Sequence, residues 1–150
     1  MIYGIGTDIV AVKRMDDLHV RYGGKLAERL LAPDEWGDYA EASNKEHFLA
    51  KRFAAKEAFA KAVGTGMRAP VSFTTISVVH DAHGKPGFVY SPELGVWLKS
   101  RGINSTHLSL SDEQDYVVAF VVAECMQTHT QPHTQPHTQT HTQTRTEPRA

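Results

Sequence analysis

An α+β domain with a mainly antiparallel sheet around one long central helix is the fold class this sequence predicts. Three observations point there: strand-like stretches at 2–10, 73–79, 88–90, 107–111 and 116–123, one long helical stretch that stops at Gly64, and no regular βαβ alternation among them. A chain of 150 residues suits one ordinary domain able to bury most of its apolar surface. With 41% hydrophobic and 22% charged residues the composition is globular. The net charge of −1 argues against a surface that grips nucleic acid as a whole, so an anionic partner must meet a local basic patch.

Residues 2–10 read as a strand, and the charged stretch that follows reads as a short helix to about Tyr22. Pro33 can open a helical turn, with Asp34 and Glu35 at the positive end of the helix dipole, so a helix is expected to about Ala40. The long helix comes next. Asn44 is a good N-cap, and Phe48, Ala55, Phe59 and Ala62 recur at helical spacing up to Gly64. Beyond Gly64-Thr65-Gly66, two strands are joined through Asp81-Ala82-His83-Gly84, and Ser91-Pro92 opens another helix to about Arg101. In 107–111 apolar residues alternate, whereas 116–123 is continuously apolar, a strand buried on both faces or in a subunit contact.

The domain is expected to span 1–126. Residues 127–150 hold almost nothing apolar and repeat Thr-Gln-Pro-His, which reads as a disordered tail that cannot fold alone. His129, His133, His137 and His141 could chelate a transition metal, but the prolines and threonines between them preclude a fixed shell. Cys125 is the lone cysteine, so a disulfide scaffold is excluded. No apolar segment approaches the roughly 18–20 residues of a membrane span, and the N-terminus lacks a signal pattern, which predicts a cytoplasmic protein with no membrane partner.

Two constellations carry chemistry. In Gly4-Ile5-Gly6-Thr7-Asp8 an acid sits inside an apolar strand, where a carboxylate needs a partner, and the glycines permit close approach of another backbone or a ligand. By itself Asp8 reads more simply as a strand-end acid satisfied by backbone donors or an arginine. In the helix, Phe53, Glu57 and Lys61 are spaced by four and share a face. A solvated Glu57–Lys61 pair is the simpler reading there, but basic residues gathered beside a glycine-rich turn suit phosphate: Arg52, Lys56, Lys61 and Gly64-Thr65-Gly66 could supply charge and N–H donors. Magnesium is commonly held by one or two carboxylates plus phosphate oxygens, and Asp8 with Glu57 would suffice.

The pair GIGTDIV (4–10) and KRFAAKEAFAKAVGTG (51–66), in this order, resembles the holo-acyl-carrier-protein synthase group of 4′-phosphopantetheinyl transferases. The likeness extends to Leu31-Ala32-Pro33-Asp34-Glu35-Trp36, to Gly84-Lys85-Pro86 and to the last two strands, and covers residues 1 to about 126. It implies the fold of that group, a homotrimer with coenzyme A between subunits, and a Mg2+ ion on Asp8 and Glu57. It places Lys61 near the diphosphate and Lys85 and Pro86 at the nucleotide. Arg14, with Arg21 and Lys25 nearby, falls where the group meets its acidic carrier protein. Many members carry Ser-x-Ser-His at the start of the last strand pair; this chain reads Ser109-Leu110-Ser111-Asp112, so a mechanism through that histidine cannot apply. His107, close by, reads as structural.

The implied reaction serves fatty acid synthesis: a carrier serine attacks the β-phosphorus of coenzyme A and 3′,5′-ADP leaves. Glu57, directly or through a metal-bound water, is the first candidate for the serine proton, and Asp34 or Glu35 through a water the second. A non-catalytic module binding nucleotides or acidic proteins would explain the basic residues but not Asp8. A purely structural subunit would bind no ligand.

Overall fold

The structure, a computed structural model, describes residues 1–126; the repeat at 127–150, and the tail reading attached to it, lie outside the described residues. Along the chain run β1 (Ile2–Ala11), α1 (Val12–Tyr22), α2 (Gly24–Leu30), a 3-10 turn (Pro33–Glu35), α3 (Trp36–Glu41), α4 (Lys45–Val63), β2 (Ile76–His80), β3 (Pro86–Tyr90), α5 (Pro92–Ser100), β4 (Ile103–Asp112) and β5 (Tyr116–Cys125). The strands form an antiparallel three-stranded sheet, order β1-β5-β4, and a separate β2–β3 hairpin. The α+β class with antiparallel sheets is therefore as the sequence predicts.

Helix α4 lies across β1 and β5 and organises the core. It begins where expected, the His47 N–H donating to Asn44 Oδ1 at 2.8 Å, and ends at Gly64, whose φ of 77° suits glycine. Its buried surface is largely alanine, and it sits close to β1 because Gly4 and Gly6 have no side chains. A Cβ on Gly4 would lie 2.1 Å from the Ala62 carbonyl oxygen, and one on Gly6 would lie 2.0 Å from that of Ala58. The glycines thus seat a helix rather than a ligand.

One helix is absent from the sequence reading, and one of the two readings of the last strand, burial on both faces within the chain, is excluded while the subunit contact stays open. Helix α2 follows the break at Gly23 (φ 55°), and it forms because Leu26, Ala27 and Leu30 recur at helical spacing and bury on one side. Strand β5 is not buried on both faces within one chain: Val117, Ala119, Val121 and Ala123 are fully buried under α4, while Tyr116, Val118 and Phe120 face outward and are exposed. On that outer face Ile9 lies opposite Val118, and Ile5 opposite Val122, so the exposed surface is an apolar sheet face rather than one misplaced residue. Among the described residues no helix is long and apolar enough to cross a membrane.

Candidate active site

Asp8 points from β1 toward α4, on the same strand face as Gly4 and Gly6, because side chains two apart share a face. From α4, Glu57 and Lys61 meet it, on one stripe with Phe53. Lys61 Nζ donates to Asp8 Oδ1 at 2.8 Å and to the Thr7 carbonyl at 2.9 Å, with the Asp8 side chain mostly buried and Lys61 half exposed. The other carboxylate oxygen, Asp8 Oδ2, is buried and has no hydrogen-bond partner among the described residues. Burial first, and the Asp8 carboxylate second, push the Glu57 carboxyl above its ordinary value, against the pull of Lys61 and Arg14. Two carboxylates thus share one strand–helix junction with Lys61 and Arg14 as their neighbouring cations, and one carboxylate oxygen, Asp8 Oδ2, is left without a partner.

This donor set fits a hard divalent cation. Magnesium takes oxygen ligands and is often held by one or two carboxylates, the remaining positions going to water and phosphate. Among the described residues no group of three or more His, Cys, Asp or Glu gathers.

The phosphate set read from the sequence separates in space. Lys61 is at the site, but Arg52 and Lys56, one residue before Phe53 and Glu57, occupy the neighbouring helix face and are buried. Both turn to Glu35: the Lys56 ammonium pairs with Oε2, and Arg52 Nε lies 3.1 Å from Oε1. Desolvation lowers both groups, Lys56 to about 8, with Glu35 opposing the drop. Neither is free to hold a phosphate in this structure. Glu35, the alternative proton acceptor, is itself committed, since it also accepts the Ala32 N–H at 2.8 Å and the Val78 N–H at 2.9 Å. Asp34 stays exposed. The Gly64-Thr65-Gly66 turn closes α4: the N–H groups of Gly64 and Thr65 donate to the Ala60 carbonyl at 3.1 and 3.2 Å, so those two donors already serve the helix end.

Lys85 and Pro86 border a separate cleft of about 340 Å³ between the β2–β3 hairpin and β4, shared with His80, Thr106 and His107. Within one chain this cleft adjoins β4 and the Asp8 cluster adjoins β1, the opposite edges of the sheet. Arg14 lies exposed on α1 with its guanidinium 5.3 Å from the centroid of the Phe53 ring, which stacks on Phe73, and so it borders Glu57 as well as facing solvent. Arg21 and Lys25 are exposed farther along, Arg21 over the Tyr22 ring at 5.3 Å.

Asp112 pairs with His47 at 2.8 Å and Lys51 at 3.3 Å, tying the end of β4 to the start of α4. His107 pairs with Glu124 at 2.7 Å, which agrees with a structural histidine. Sequence reasoning missed Glu35 as a hub. The signal was present: a basic pair at i, i+4 embedded among Ala54, Ala55, Ala58 and Phe59 lies on an inward face and requires a buried carboxylate.

Fold and site together define a small α+β protein that brings two carboxylates and a lysine to one strand–helix junction. The family model described as the 4′-phosphopantetheinyl transferase superfamily matches residues 4–121, and the chain belongs to that superfamily. Holo-[acyl-carrier-protein] synthase of Neisseria meningitidis serogroup A is 56% identical over 124 residues, 83% of this chain and 99% of the relative. The crystal structure of holo-[acyl-carrier-protein] synthase from Neisseria meningitidis is similar with a TM-score of 0.81 at 56% identity, covering 83% of this chain and 99% of that one. The holo-(acyl-carrier-protein) synthase of Bacillus anthracis, solved in complex with CoA (3′,5′-ADP), is similar with a TM-score of 0.71 at 38% identity, covering 84% and 99%.

Proposed function

We propose that this chain transfers the 4′-phosphopantetheine arm of coenzyme A to a serine of apo-acyl carrier protein, releasing 3′,5′-ADP, with a Mg2+ ion held by Asp8 and Glu57. Its membership of the superfamily and the synthase relatives support the reaction. The observation that carries the site is the bare, buried Asp8 Oδ2 beside a Glu57 whose carboxyl is pushed up. When bound, magnesium supplies Lewis-acid polarisation of the diphosphate and a template for its oxygens. Lys61, on the same stripe and half exposed, neutralises charge that grows on the diphosphate as its bond to the leaving nucleotide breaks. Glu57 accepts the serine proton.

The working form is a homotrimer with shared sites. Support comes from the exposed apolar sheet face of Ile5, Ile9, Val118 and Phe120, and from the position of the Lys85–Pro86 cleft at the far edge of the sheet from Asp8. Lys85 and Pro86 would meet the nucleotide of one subunit while Asp8 and Glu57 of a neighbour meet its diphosphate. Arg14, Arg21 and Lys25 form the docking face for the acidic carrier, and the enzyme serves fatty acid synthesis in the cytoplasm. Mixing the chain with apo-carrier, coenzyme A and magnesium, then weighing the carrier by mass spectrometry, tests the reaction: a carrier heavier by one phosphopantetheine arm supports it, and an unchanged mass refutes it. Sedimentation tests assembly, a monomer at micromolar concentration contradicting the trimer.

A further inference from the structure

Helix α4 carries two ionic stripes offset by one residue, and about 100° of helix rotation separates them. Glu57 and Lys61 face Asp8, and Phe53 lies one turn before them on the same stripe. Arg52 and Lys56 face Glu35, and this second cluster is among the most buried parts of the molecule, with Lys56 0%, Glu35 1% and Arg52 3% exposed. The Lys56 ammonium donates to Glu35 Oε2, to the Leu30 carbonyl at 2.7 Å and to the Phe73 carbonyl at 2.7 Å. Glu35 in turn accepts from the backbone of Ala32 and Val78, so one carboxylate joins the 3-10 turn, β2 and α4.

A cluster of this kind is a poor source of net stability, because desolvating the charges offsets their attraction and apolar residues of similar size often serve as well. What it adds is direction. Against β1 and β5 the helix presents mainly small side chains and its own backbone opposite Gly4 and Gly6, so the Arg52–Lys56–Glu35 cluster is the directional contact on its other buried face. Hydrogen bonds to fixed carbonyls and to a clamped carboxylate tolerate little rotation.

We infer that Glu35 is a positioning residue of the reaction: through Lys56 and Arg52 it sets the rotation of α4, and so holds Glu57 and Lys61 against Asp8. This inference rests on the proposed magnesium site. Supporting groups behind metal ligands typically tune affinity by 10–100-fold, roughly the loss expected here.

The test is Mn2+ binding by electron paramagnetic resonance to the full chain, as wild type, Glu35→Gln, Glu35→Asp and Leu98→Ala, with thermal unfolding of each. Leu98, buried on α5 away from α4, is the control for lost stability alone. Expected is Mn2+ binding about 10- to 100-fold weaker in Glu35→Gln, a smaller loss in Glu35→Asp, and wild-type affinity in Leu98→Ala despite its lower melting temperature. Glu35 variants that bind Mn2+ as tightly as the wild type overturn the inference and leave the proposed function standing. A wild type that binds no Mn2+ overturns both. Should Glu35→Gln not fold, Glu35→Asp decides by the same two outcomes.

Discussion

Lys61 Nζ bridges two acceptors on β1, Asp8 Oδ1 at 2.8 Å and the Thr7 carbonyl at 2.9 Å, and leaves Asp8 Oδ2 bare. The lysine is therefore already aimed at the carboxylate that would share a cation with Glu57, and substrate phosphate arriving there would compete for the same ammonium. Lys61→Met is expected to lower kcat/KM for coenzyme A by about 10²-fold, the usual effect of removing one donor to transition-state charge. Its affinity for Mn2+ should be retained or improved, because Asp8 loses a competitor. Near-normal turnover would reduce Lys61 to a clamp on Asp8.

Gly6→Ala should be severely destabilising, since its Cβ would sit 2.0 Å from the Ala58 carbonyl oxygen and 2.6 Å from the Ala62 nitrogen, both backbone atoms of α4. Strain of this kind costs about 1–3 kcal/mol or more. Gly95→Ala, in the middle of α5 with nothing within 4 Å, should instead gain roughly 0.5–1 kcal/mol from helix preference. Urea unfolding of both variants measures the contrast, and equal effects would mean that β1 and α4 are not in close contact.

Most of the fold was legible because its signals are local. The Asn44 cap, the Gly64 stop and the Asp81-to-Gly84 turn all fall where the sequence places them. Helix α2 was not, because Gly23-Gly24 looks like a loop until Leu26 and Leu30 find a core to cover. Within the site, Glu57 and Lys61 share a face by spacing alone, and the structure sets Asp8, named beside Glu57 from the sequence, against Lys61. Arg52 and Lys56 do not serve as the expected phosphate ligands because spacing shows that two cations lie on one stripe but not whether the stripe faces water or a buried acid about twenty residues away in sequence. Charge type is written in the sequence; the partner, Glu35, is a tertiary fact.

The β2–β3 turn gives a pH test. Asp81 Oδ1 accepts the N–H groups of His83 at 2.8 Å and Lys85 at 2.9 Å, and these bonds, that of Lys85 foremost, hold its carboxyl below the usual range. A depressed folded-state value contributes stability that is present above the unfolded-state value and lost as pH falls through the folded one. Asp81→Ala should therefore be less stable than wild type at pH 7, with the difference shrinking as pH drops below about 4. A constant gap across denaturant titrations at both pH values would remove the carboxylate from the account of the turn.

Arg14 and Arg21, seven residues apart on α1, lie on one helix face. Arg14→Glu with Arg21→Glu should raise KM for the carrier far more than KM for coenzyme A, by an amount equivalent to about 1–3 kcal/mol. Added salt should weaken the wild type steeply and the double variant hardly at all. Because Arg14 also borders Glu57, a kcat loss in Arg14→Glu alone, absent from Arg21→Glu, would separate its two roles. Unchanged carrier KM with equal salt dependence would move the docking face elsewhere.

The central claim is that Asp8 and Glu57 together hold the divalent ion on which transfer depends, and Mn2+ titration of the full chain followed by electron paramagnetic resonance addresses it most directly. Wild type should bind Mn2+ with magnesium competing, and Asp8→Asn and Glu57→Gln should each lose that binding while keeping the wild-type circular dichroism spectrum, since each removes a ligand rather than a core contact. Binding of undiminished strength in both variants would contradict the assignment.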